Sequence, residues 1–288
     1  MTRIGRASAP AAGTVLNALA TGVGSAFAID METTATVDLD SGTDGVTGEI
    51  AGAPDADTRL VERCVESVVD RFGDGEDWGG RVRTESEVPM AAGLKSSSAA
   101  ANATVLATLD ALDASDDIER IDACRLGVDA ARDVGVTVTG AFDDASASML
   151  GGLTVTDNSS DGLLHRDDPD WDVLVWAPPE QAFSADADVA RCEQVAPMAD
   201  LAADLALDGE YGRAMTVNGL AFCAALDYPT APVVAAMTRS EGVSLSGTGP
   251  SFVAVGERAA LESVRDDWNT YEGDTWLTTT QTAGARTR

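Results

Sequence analysis

A glycine, a lysine and three serines are crowded into residues 93–98, which read Gly-Leu-Lys-Ser-Ser-Ser. A strand-like alternation at 81–88 precedes them, and the Ala- and Leu-rich run at 99–112 predicts a buried helix after them. Serine is a preferred residue at a helix start, where the leading N–H groups have no partner within the helix. Those N–H groups, the helix dipole, the hydroxyls and one ammonium together favour binding of an anion, and phosphate fits best.

The ammonium of this stretch is unusual in the chain as a whole. Of 19 basic residues, 18 are arginine and Lys95 is the single lysine. A solvated surface position is the ordinary alternative for a lysine. That alternative fits poorly with a chain that uses arginine everywhere else, so we interpret Lys95 as a phosphate-binding residue.

Two further segments, 9–25 and 246–251, are also rich in small residues, which let a backbone approach a ligand closely. Asp143 and Asp144 follow a strand-like run at 136–139, and Asp133 precedes Asp144 by eleven residues. A phosphate-binding turn beside carboxylates favours nucleotide–Mg²⁺ chemistry, because Mg²⁺ takes oxygen ligands and usually only one or two carboxylates. Among 48 acidic residues, spacing alone does not choose between these aspartates.

Several other site types are disfavoured by the sequence. Residues 22–27 lack the third small residue of a dinucleotide fingerprint, and the Walker pattern is absent because Leu94 precedes Lys95. The single histidine, His165, lies in a polar stretch without a Gly-x-Ser-x-Gly elbow, which argues against a hydrolase triad. The four cysteines are widely spaced and are predicted to be small buried residues, neither zinc ligands nor disulfide partners.

The composition indicates a soluble, cytoplasmic protein adapted to salt. The formal charge is −29, which repels nucleic acid and anionic lipid, and the acids are spread along the chain. Such lysine-poor acidity is typical of proteins from a salt-filled cytoplasm, where counterions relieve self-repulsion, so we expect loss of structure or activity in dilute buffer. No run approaches the roughly 20 apolar residues of a membrane span. The sequence leaves monomer and homodimer equally open.

Hydrophobic periodicity predicts an α+β protein. Helical stretches are expected at 57–72, 99–112, 118–134, 196–207, 211–226, 231–239 and 258–269. Strands are expected at 35–39, 48–51, 81–88, 153–156, 171–177, 243–245, 252–255 and 276–280. This order favours helices on one face of antiparallel sheets. The polar segment 158–170 is the predicted linker between two domains, 1–160 and 161–288.

The motifs resemble those of a known family. Residues 89–99 (Pro-Met-Ala-Ala-Gly-Leu-Lys-Ser-Ser-Ser-Ala) are similar to the ATP-phosphate loop of the GHMP kinases, which include galactokinase, homoserine kinase and mevalonate kinase. Residues 247–251 resemble that family's C-terminal glycine motif, and 9–25 lie where its N-terminal motif does. The resemblance implies an N-terminal domain like ribosomal protein S5 domain 2 and a ferredoxin-like C-terminal domain.

The resemblance also implies roles for individual residues. Asp144 matches the catalytic aspartate, Lys95 would neutralise phosphate oxygens, and Ser97 and Asp133 would bind Mg²⁺. The implied ATP-binding residues are Pro89, Met90, Ala91, Ala92, Gly93, Leu94, Lys95, Ser96, Ser97, Ser98, Ala99, Gly247, Thr248 and Gly249. The N-terminal segment lacks the lysine of mevalonate-type members, so charge near the nucleophile must come from Lys95, an arginine or Mg²⁺.

Within the family, residues 93–98, 139–144, 214–219 and 246–250 are most similar to the archaeal shikimate kinase branch. That branch implies phosphorylation of the 3-hydroxyl of shikimate by ATP. The substrate carboxylate calls for an arginine, because its planar fork binds carboxylate through two hydrogen bonds. The arginines considered for this contact are Arg6, Arg191 and Arg213. Two alternatives stay open: another alcohol (homoserine, mevalonate or a sugar), and an inactive nucleotide or small-molecule sensor.

Overall fold

The computed structural model describes residues 2–137, 139–180, 182 and 187–288 of the chain. Its strands are β1 (Thr2–Leu16), β2 (Val23–Ser41), β3 (Val46–Ile50), β4 (Trp78–Ser86), β5 (Leu153–Asp157), β6 (Gly162–Asp167), β7 (Asp172–Ala177), β8 (Gly242–Leu245), β9 (Phe252–Gly256), β10 (Asp274–Thr279) and β11 (Arg286–Thr287). Its helices are α1 (Arg59–Phe72), α2 (Ser96–Ala111), α3 (Arg120–Asp133), α4 (Phe142–Leu150), α5 (Val189–Glu193), α6 (Ala196–Leu207), α7 (Tyr211–Ala225), α8 (Ala231–Ala236) and α9 (Arg258–Trp268).

The first sheet is built on a long hairpin of β1 and β2. Its strands run in the order β11-β1-β2-β4-β3, with β5 paired to β2 and β6 to β5. All of these pairs are antiparallel except β3 with β4. From Met31 to Leu39 the side chains of β2 alternate between buried and half-buried positions, as expected for a strand with one face on the core.

Helix α2 is the central element of the first half, packed against β1, β2, α1, α3 and α4. From Ala101 to Leu109 every residue is buried, which is the pattern of a helix enclosed by protein. Small residues make this enclosure possible. A Cβ atom at Gly5 on β1 would lie 1.9 Å from the carbonyl oxygen of Ala107, so only glycine allows the strand and helix backbones to approach this closely.

The second sheet has the strand order β10-β7-β9-β8, and all of its pairs are antiparallel. An aromatic cluster forms part of its core around Trp176. The Trp176 ring stacks on Phe252 with centroids 5.6 Å apart and contacts Tyr271 at 5.2 Å. Trp268, at the end of α9, is fully buried in the same core. Within the described part of the chain, no helix is long and apolar enough to cross a bilayer.

The predicted α+β architecture is confirmed, but two local predictions are wrong. The linker expected at 158–170 contains β6, an exposed edge strand whose charged residues concealed its pairing with β5. Asp143 and Asp144 lie in helix α4. In the strand-like run expected at 136–139, Val138 lies outside the described residues and the others belong to no strand. The N-terminal segment 9–25, for which the sequence predicted no secondary structure, is mostly strand, and β1 packs against α2 and α4.

The chain end complicates a simple division into two domains. Strand β11 returns from the second half to pair with β1 in the first sheet, and a single bridge joins Ile29 to Thr280. Strand β6, beyond residue 160, also belongs to the first sheet. The boundary at residue 160 therefore stays a prediction, since strand pairing crosses it at three places.

Because α2 is enclosed, we expect truncation inside it to be costly. Leu109 is fully buried, and Leu109→Ala should lower the free energy of unfolding by about 2–5 kcal/mol, from lost transfer free energy and a residual cavity. Urea denaturation followed by circular dichroism measures the change. Leu201→Ala on α6 is the matched control, since its side chain is 45% exposed. Equal effects of the two substitutions would contradict the central position of α2.

Candidate active site

The turn before α2 has a backbone that ordinary residues adopt rarely. Ala91, Gly93 and Lys95 have positive φ angles of 56°, 78° and 63°. At Gly93 a Cβ atom would lie 2.3 Å from the carbonyl oxygen of Ser246, so the turn packs directly against the C-terminal glycine motif. The Ser246 hydroxyl donates to the Gly93 carbonyl oxygen over 2.8 Å, which fixes the two segments against each other.

Helix α2 begins one residue after Lys95, earlier than the sequence predicted. Lys95 occupies the N-cap position in the left-handed conformation, and the three serines form the first turn. The Ala99 amide donates to the Lys95 carbonyl oxygen over 3.0 Å. The amides of Ser96, Ser97 and Ser98 therefore come before the first helical hydrogen bond, and Ser97 is exposed. This arrangement is suited to binding an anion.

The Lys95 side chain turns toward a carboxylate. Its Nζ lies 2.9 Å from Oδ1 of Asp144, and the two side chains are 6% and 15% exposed. The contact is a short, buried ion pair between the ammonium and this carboxylate oxygen. The two predicted catalytic residues thus lie together, with the ammonium on Asp144 where the sequence had suggested phosphate.

The surroundings of Asp144 disfavour its charged form. Burial is the main cause, followed by the neighbouring Asp143 carboxylate, and the net effect of all neighbours raises the pKa of Asp144 to about 7. The Lys95 ammonium acts in the opposite direction and lowers this pKa. A carboxyl group with a pKa near 7 can take up or release a proton at neutral pH.

Asp143 is held by a residue that the sequence did not single out. Asn158 donates from Nδ2 to Asp143 Oδ1 over 2.7 Å and accepts from the Asp143 amide over 3.1 Å. Gly24 on β2 also lies against this carboxylate, since a Cβ there would be 2.4 Å from Oδ2. Asn158 follows β5 within the wrongly predicted linker, and no pattern in that polar stretch distinguishes it from its neighbours.

The C-terminal glycine motif closes over Lys95. Gly247 has a φ of 59°, and a Cβ atom there would lie 2.7 Å from Lys95 Nζ. Gly249 lies against the ring of Tyr228, where a Cβ would meet Cε2 at 2.5 Å. Thr248 between them is buried, with 8% of its surface exposed. Two of the three predicted glycine-rich segments, the turn before α2 and this motif, are therefore in direct contact.

Of the two predicted metal ligands, Ser97 lies in the first turn of α2 and Asp133 belongs to a different ion pair. Asp133, at the end of α3, is 53% exposed and forms an ion pair with Arg63 of α1, at 2.9 Å. Among the described residues, no group of three or more His, Cys, Asp or Glu side chains has the arrangement of a metal site. The predicted oxygen donors are the hydroxyl of Ser97, which is exposed, and the single carboxylate of Asp133. That set fits Mg²⁺, which usually takes one or two carboxylates, with phosphates and water completing its shell.

A groove opens beside the serines of α2. It is a shallow, open depression whose walls are mostly small or apolar residues. Its lining comprises Leu60, Ser97, Ser98, Ala101, Gly127, Val128, Ala131, Val136, Thr137, Gly140, Ala141 and Ala145. The groove therefore leads from the free amides at the start of α2 to the start of α4, which carries Asp144.

The three arginines considered for a substrate carboxylate have other contacts. Arg191 forms an ion pair with Asp227 and donates to the Ala224 carbonyl oxygen. Arg213 is 70% exposed beside Glu210, and Arg6 is exposed on β1. Within the described residues, none of the three contacts Lys95 or Asp144, so the identity of such an arginine stays open.

Comparison with known proteins places this geometry in a family. The family model for the N-terminal domain of GHMP kinases matches residues 59–152, which include the turn before α2 and Asp144. The shikimate kinase of Halobacterium salinarum is 67% identical over 283 residues, covering 98% of this chain and 99% of that protein. The shikimate kinase of Methanosarcina mazei is 48% identical, covering 99% and 97%.

Solved structures agree at the level of the fold. A homoserine kinase from Cytophaga hutchinsonii superposes with a TM-score of 0.76 at 18% identity, covering 99% of this chain and 97% of that one. A mevalonate kinase gives a TM-score of 0.70 at 13% identity, covering 96% and 99%. Since the curated relatives match along almost their whole length, this chain belongs to the shikimate kinases of the GHMP kinase family.

Proposed function

We propose that this protein transfers the γ-phosphoryl group of ATP to the 3-hydroxyl of shikimate, giving shikimate 3-phosphate and ADP. The observation that carries the proposal is the buried ion pair of Lys95 and Asp144 at the start of α2. Its members are the predicted catalytic residues of a family whose curated relatives cover nearly the whole chain. The reaction is phosphoryl transfer to an alcohol, which relies on positioning and charge neutralisation more than on covalent chemistry by the protein.

Asp144 would act on the attacking hydroxyl. A carboxylate whose pKa lies near the working pH is an effective proton acceptor, and the pKa of Asp144 is raised to about 7. As the new bond forms between the substrate oxygen and γ-phosphorus, the hydroxyl proton passes to Asp144. The bond from γ-phosphorus to the bridging oxygen breaks, and its electron pair leaves with ADP. The Lys95 ammonium, whose Nζ lies 2.9 Å from Asp144 Oδ1, would offset the negative charge that gathers around the attacking substrate oxygen.

The nucleotide phosphates would bind at the start of α2. The free amides and hydroxyls of Ser96, Ser97 and Ser98 lie at the start of α2, which is the positive end of the dipole of this 16-residue helix. The groove between α2, α3 and the start of α4 is continuous with this position and has the small, apolar lining that suits a nucleoside. Lys95 contributes to ATP binding through its charge, while its ammonium stays on Asp144.

Ser97 and Asp133 would hold Mg²⁺. When bound, the ion would supply positive charge that neutralises part of the charge of the phosphate groups. Ser97 is exposed beside the groove. Asp133 would exchange its contact with Arg63 for the metal, and because that pair is half exposed its loss costs about 1 kcal/mol or less.

A panel of alcohols tests the proposal and its alternatives. Purified protein in high salt should phosphorylate shikimate with ATP, and should leave homoserine, mevalonate and galactose nearly unchanged, as measured by coupled ADP release and product mass. Asp144→Asn should lower kcat by about 10²–10⁴-fold, because the proton acceptor is lost, while ATP affinity is retained.

Asp113→Asn is the matched control for this substitution, since its side chain is 92% exposed and lies far from α4 in the chain. Turnover of another alcohol in preference to shikimate would reassign the substrate. ATP binding without transfer to any acceptor would identify a nucleotide sensor. Normal turnover by Asp144→Asn would remove this carboxylate from the mechanism.

The pH dependence of kcat should follow the Asp144 carboxylate. Because the ionised form accepts the proton, kcat should rise with pH through a midpoint near 7. Asp143→Asn removes a negative neighbour that raises the pKa of Asp144, so the midpoint should move to lower pH.

Lys95→Met is the opposite case. It removes the cation that lowers the pKa of Asp144, so the midpoint should move to higher pH at a reduced maximal rate. Rate profiles of the three proteins between pH 5.5 and 9 measure both shifts. Shifts in the same direction, or a profile that neither substitution moves, would be incompatible with Asp144 as the titrating group.

A further inference from the structure

The backbone amide and carbonyl groups of Gly247 are both hydrogen-bonded to side chains at the C-terminal end of β1. The Gly247 amide donates to Thr14 Oγ1 over 2.7 Å, and its carbonyl oxygen accepts from Asn17 Nδ2 over 2.9 Å. These contacts join positions more than 200 residues apart, since their sequence separations are 233 and 230. The glycine that closes over Lys95 is thus fixed by the N-terminal strand.

Asn17 is itself held from the second half of the chain. The backbone amide of Asn17 donates to Asn218 Oδ1 over 2.9 Å, and Asn218 Nδ2 donates to Ser244 Oγ over 2.8 Å. Asn17 Oδ1 accepts from the Leu19 amide, so each polar atom of the two asparagine side chains has a partner. We call Thr14, Asn17, Asn218 and Ser244 the polar network.

The polar network also explains a sequence motif that the proposed mechanism leaves unused. Residues 214–219 on α7 contain Asn218 followed by Gly219. A Cβ atom at Gly219 would lie 2.9 Å from the Cα of Ser244, so glycine lets α7 approach β8 closely enough for Asn218 to reach both Ser244 and Asn17.

The network is deeply buried, which makes its geometry demanding. Thr14, Asn17, Asn218 and Ser244 are 1%, 6%, 1% and 0% exposed. A buried amide that loses its partner carries a desolvation penalty, so a fully bonded network resists small displacements of the segments it joins. A purely structural contact between these segments could be made by apolar side chains without that penalty.

The segment held in this way forms a wall of the catalytic ion pair. Lys95 Nζ lies 2.9 Å from Asp144 on one side, and a Cβ on Gly247 would approach it to 2.7 Å on the other. The Lys95 side chain is 6% exposed. If Gly247 moved outward, the ammonium would gain room to leave Asp144 and to reach solvent.

We propose that Thr14, Asn17 and Asn218 are positioning residues, which hold Gly247 against Lys95 so that its ammonium stays on the Asp144 carboxylate. The effect on turnover rests on the proposed function. The effect on the position of Lys95 does not, and the two can be measured separately.

The chain offers a direct probe of this position. Because Lys95 is the only lysine, an amine-reactive acylating reagent modifies it and the N-terminal amine, and peptide mass mapping separates the two. The N-terminal amine then serves as an internal standard.

Thr14→Val deletes the acceptor for the Gly247 amide at nearly constant volume, and Thr14→Ser restores a hydroxyl. Thr108→Val is the matched control, since Thr108 is also fully buried and its hydroxyl donates to Thr104 within α2.

In Thr14→Val we expect faster acylation of Lys95 relative to the N-terminal amine. We also expect kcat for shikimate to fall about ten- to a hundredfold with little change in the KM for ATP, because a catalytic group is misplaced. Thr14→Ser should restore most of the slow acylation of Lys95 and most of kcat. Thr108→Val should leave the acylation rate and kcat unchanged even where it lowers thermal stability.

The outcomes separate two kinds of failure. Unchanged acylation of Lys95 and unchanged kcat in Thr14→Val would overturn the positioning proposal and leave the proposed function intact. Wild-type protein that does not phosphorylate shikimate would overturn the proposed function, while the acylation rates would still decide the positioning proposal. Should Thr14→Val fail to fold, the isosteric Asn17→Asp sets a carboxylate against the Gly247 carbonyl oxygen, and faster acylation is again expected.

Discussion

The buried ion pair of Lys95 and Asp144 is the interaction on which the site depends. Each charge is largely removed from water, and an isolated buried charge is far more costly than a paired one. Removing one partner of such a pair costs about 3–5 kcal/mol in proteins, because the other charge is left uncompensated. The pair also sets the chemistry, since burial raises the pKa of Asp144 and the ammonium keeps that rise in check. The contact with Lys95 thus both positions Asp144 and keeps its pKa near neutrality.

Small residues allow several distant parts of the chain to meet around this pair. Gly93 lies against Ser246, Gly24 against Asp143, and Gly247 against Lys95. At each of these positions a Cβ atom would lie under 3 Å from its neighbour, so the backbones themselves form the walls of the site. The scarcity of bulky side chains in 9–25 and 246–251 is therefore a requirement of packing around the ion pair, as well as a means of approaching a ligand.

The sequence predicted the parts of the site that depend on local pattern. The turn at 93–98, the buried helix after it and the glycine motif at 247–249 were recognisable from composition and spacing. The contact between Lys95 and Asp144 was not, because a flexible side chain can reach a phosphate or a carboxylate and only the fold decides. Asn158 and the edge strand β6 were missed because polar, charged stretches look alike whether they pair or not. The polar network was missed for a related reason, since its bonds from Thr14 and Asn17 to Asn218 and Gly247 span 201 to 233 residues and have no local periodicity.

The retention of one lysine in an arginine-rich chain follows from the geometry around Gly247. An ammonium is a compact point charge, whereas a guanidinium is a broad planar group with donors in a fixed fork. The space for the charge lies between the Asp144 carboxylate, at 2.9 Å, and the Gly247 backbone, where even a single added carbon would approach Nζ to 2.7 Å. A guanidinium would have to displace Gly247 or turn away from Asp144. A compact ammonium therefore suits this position better than the guanidinium used at the other 18 basic positions.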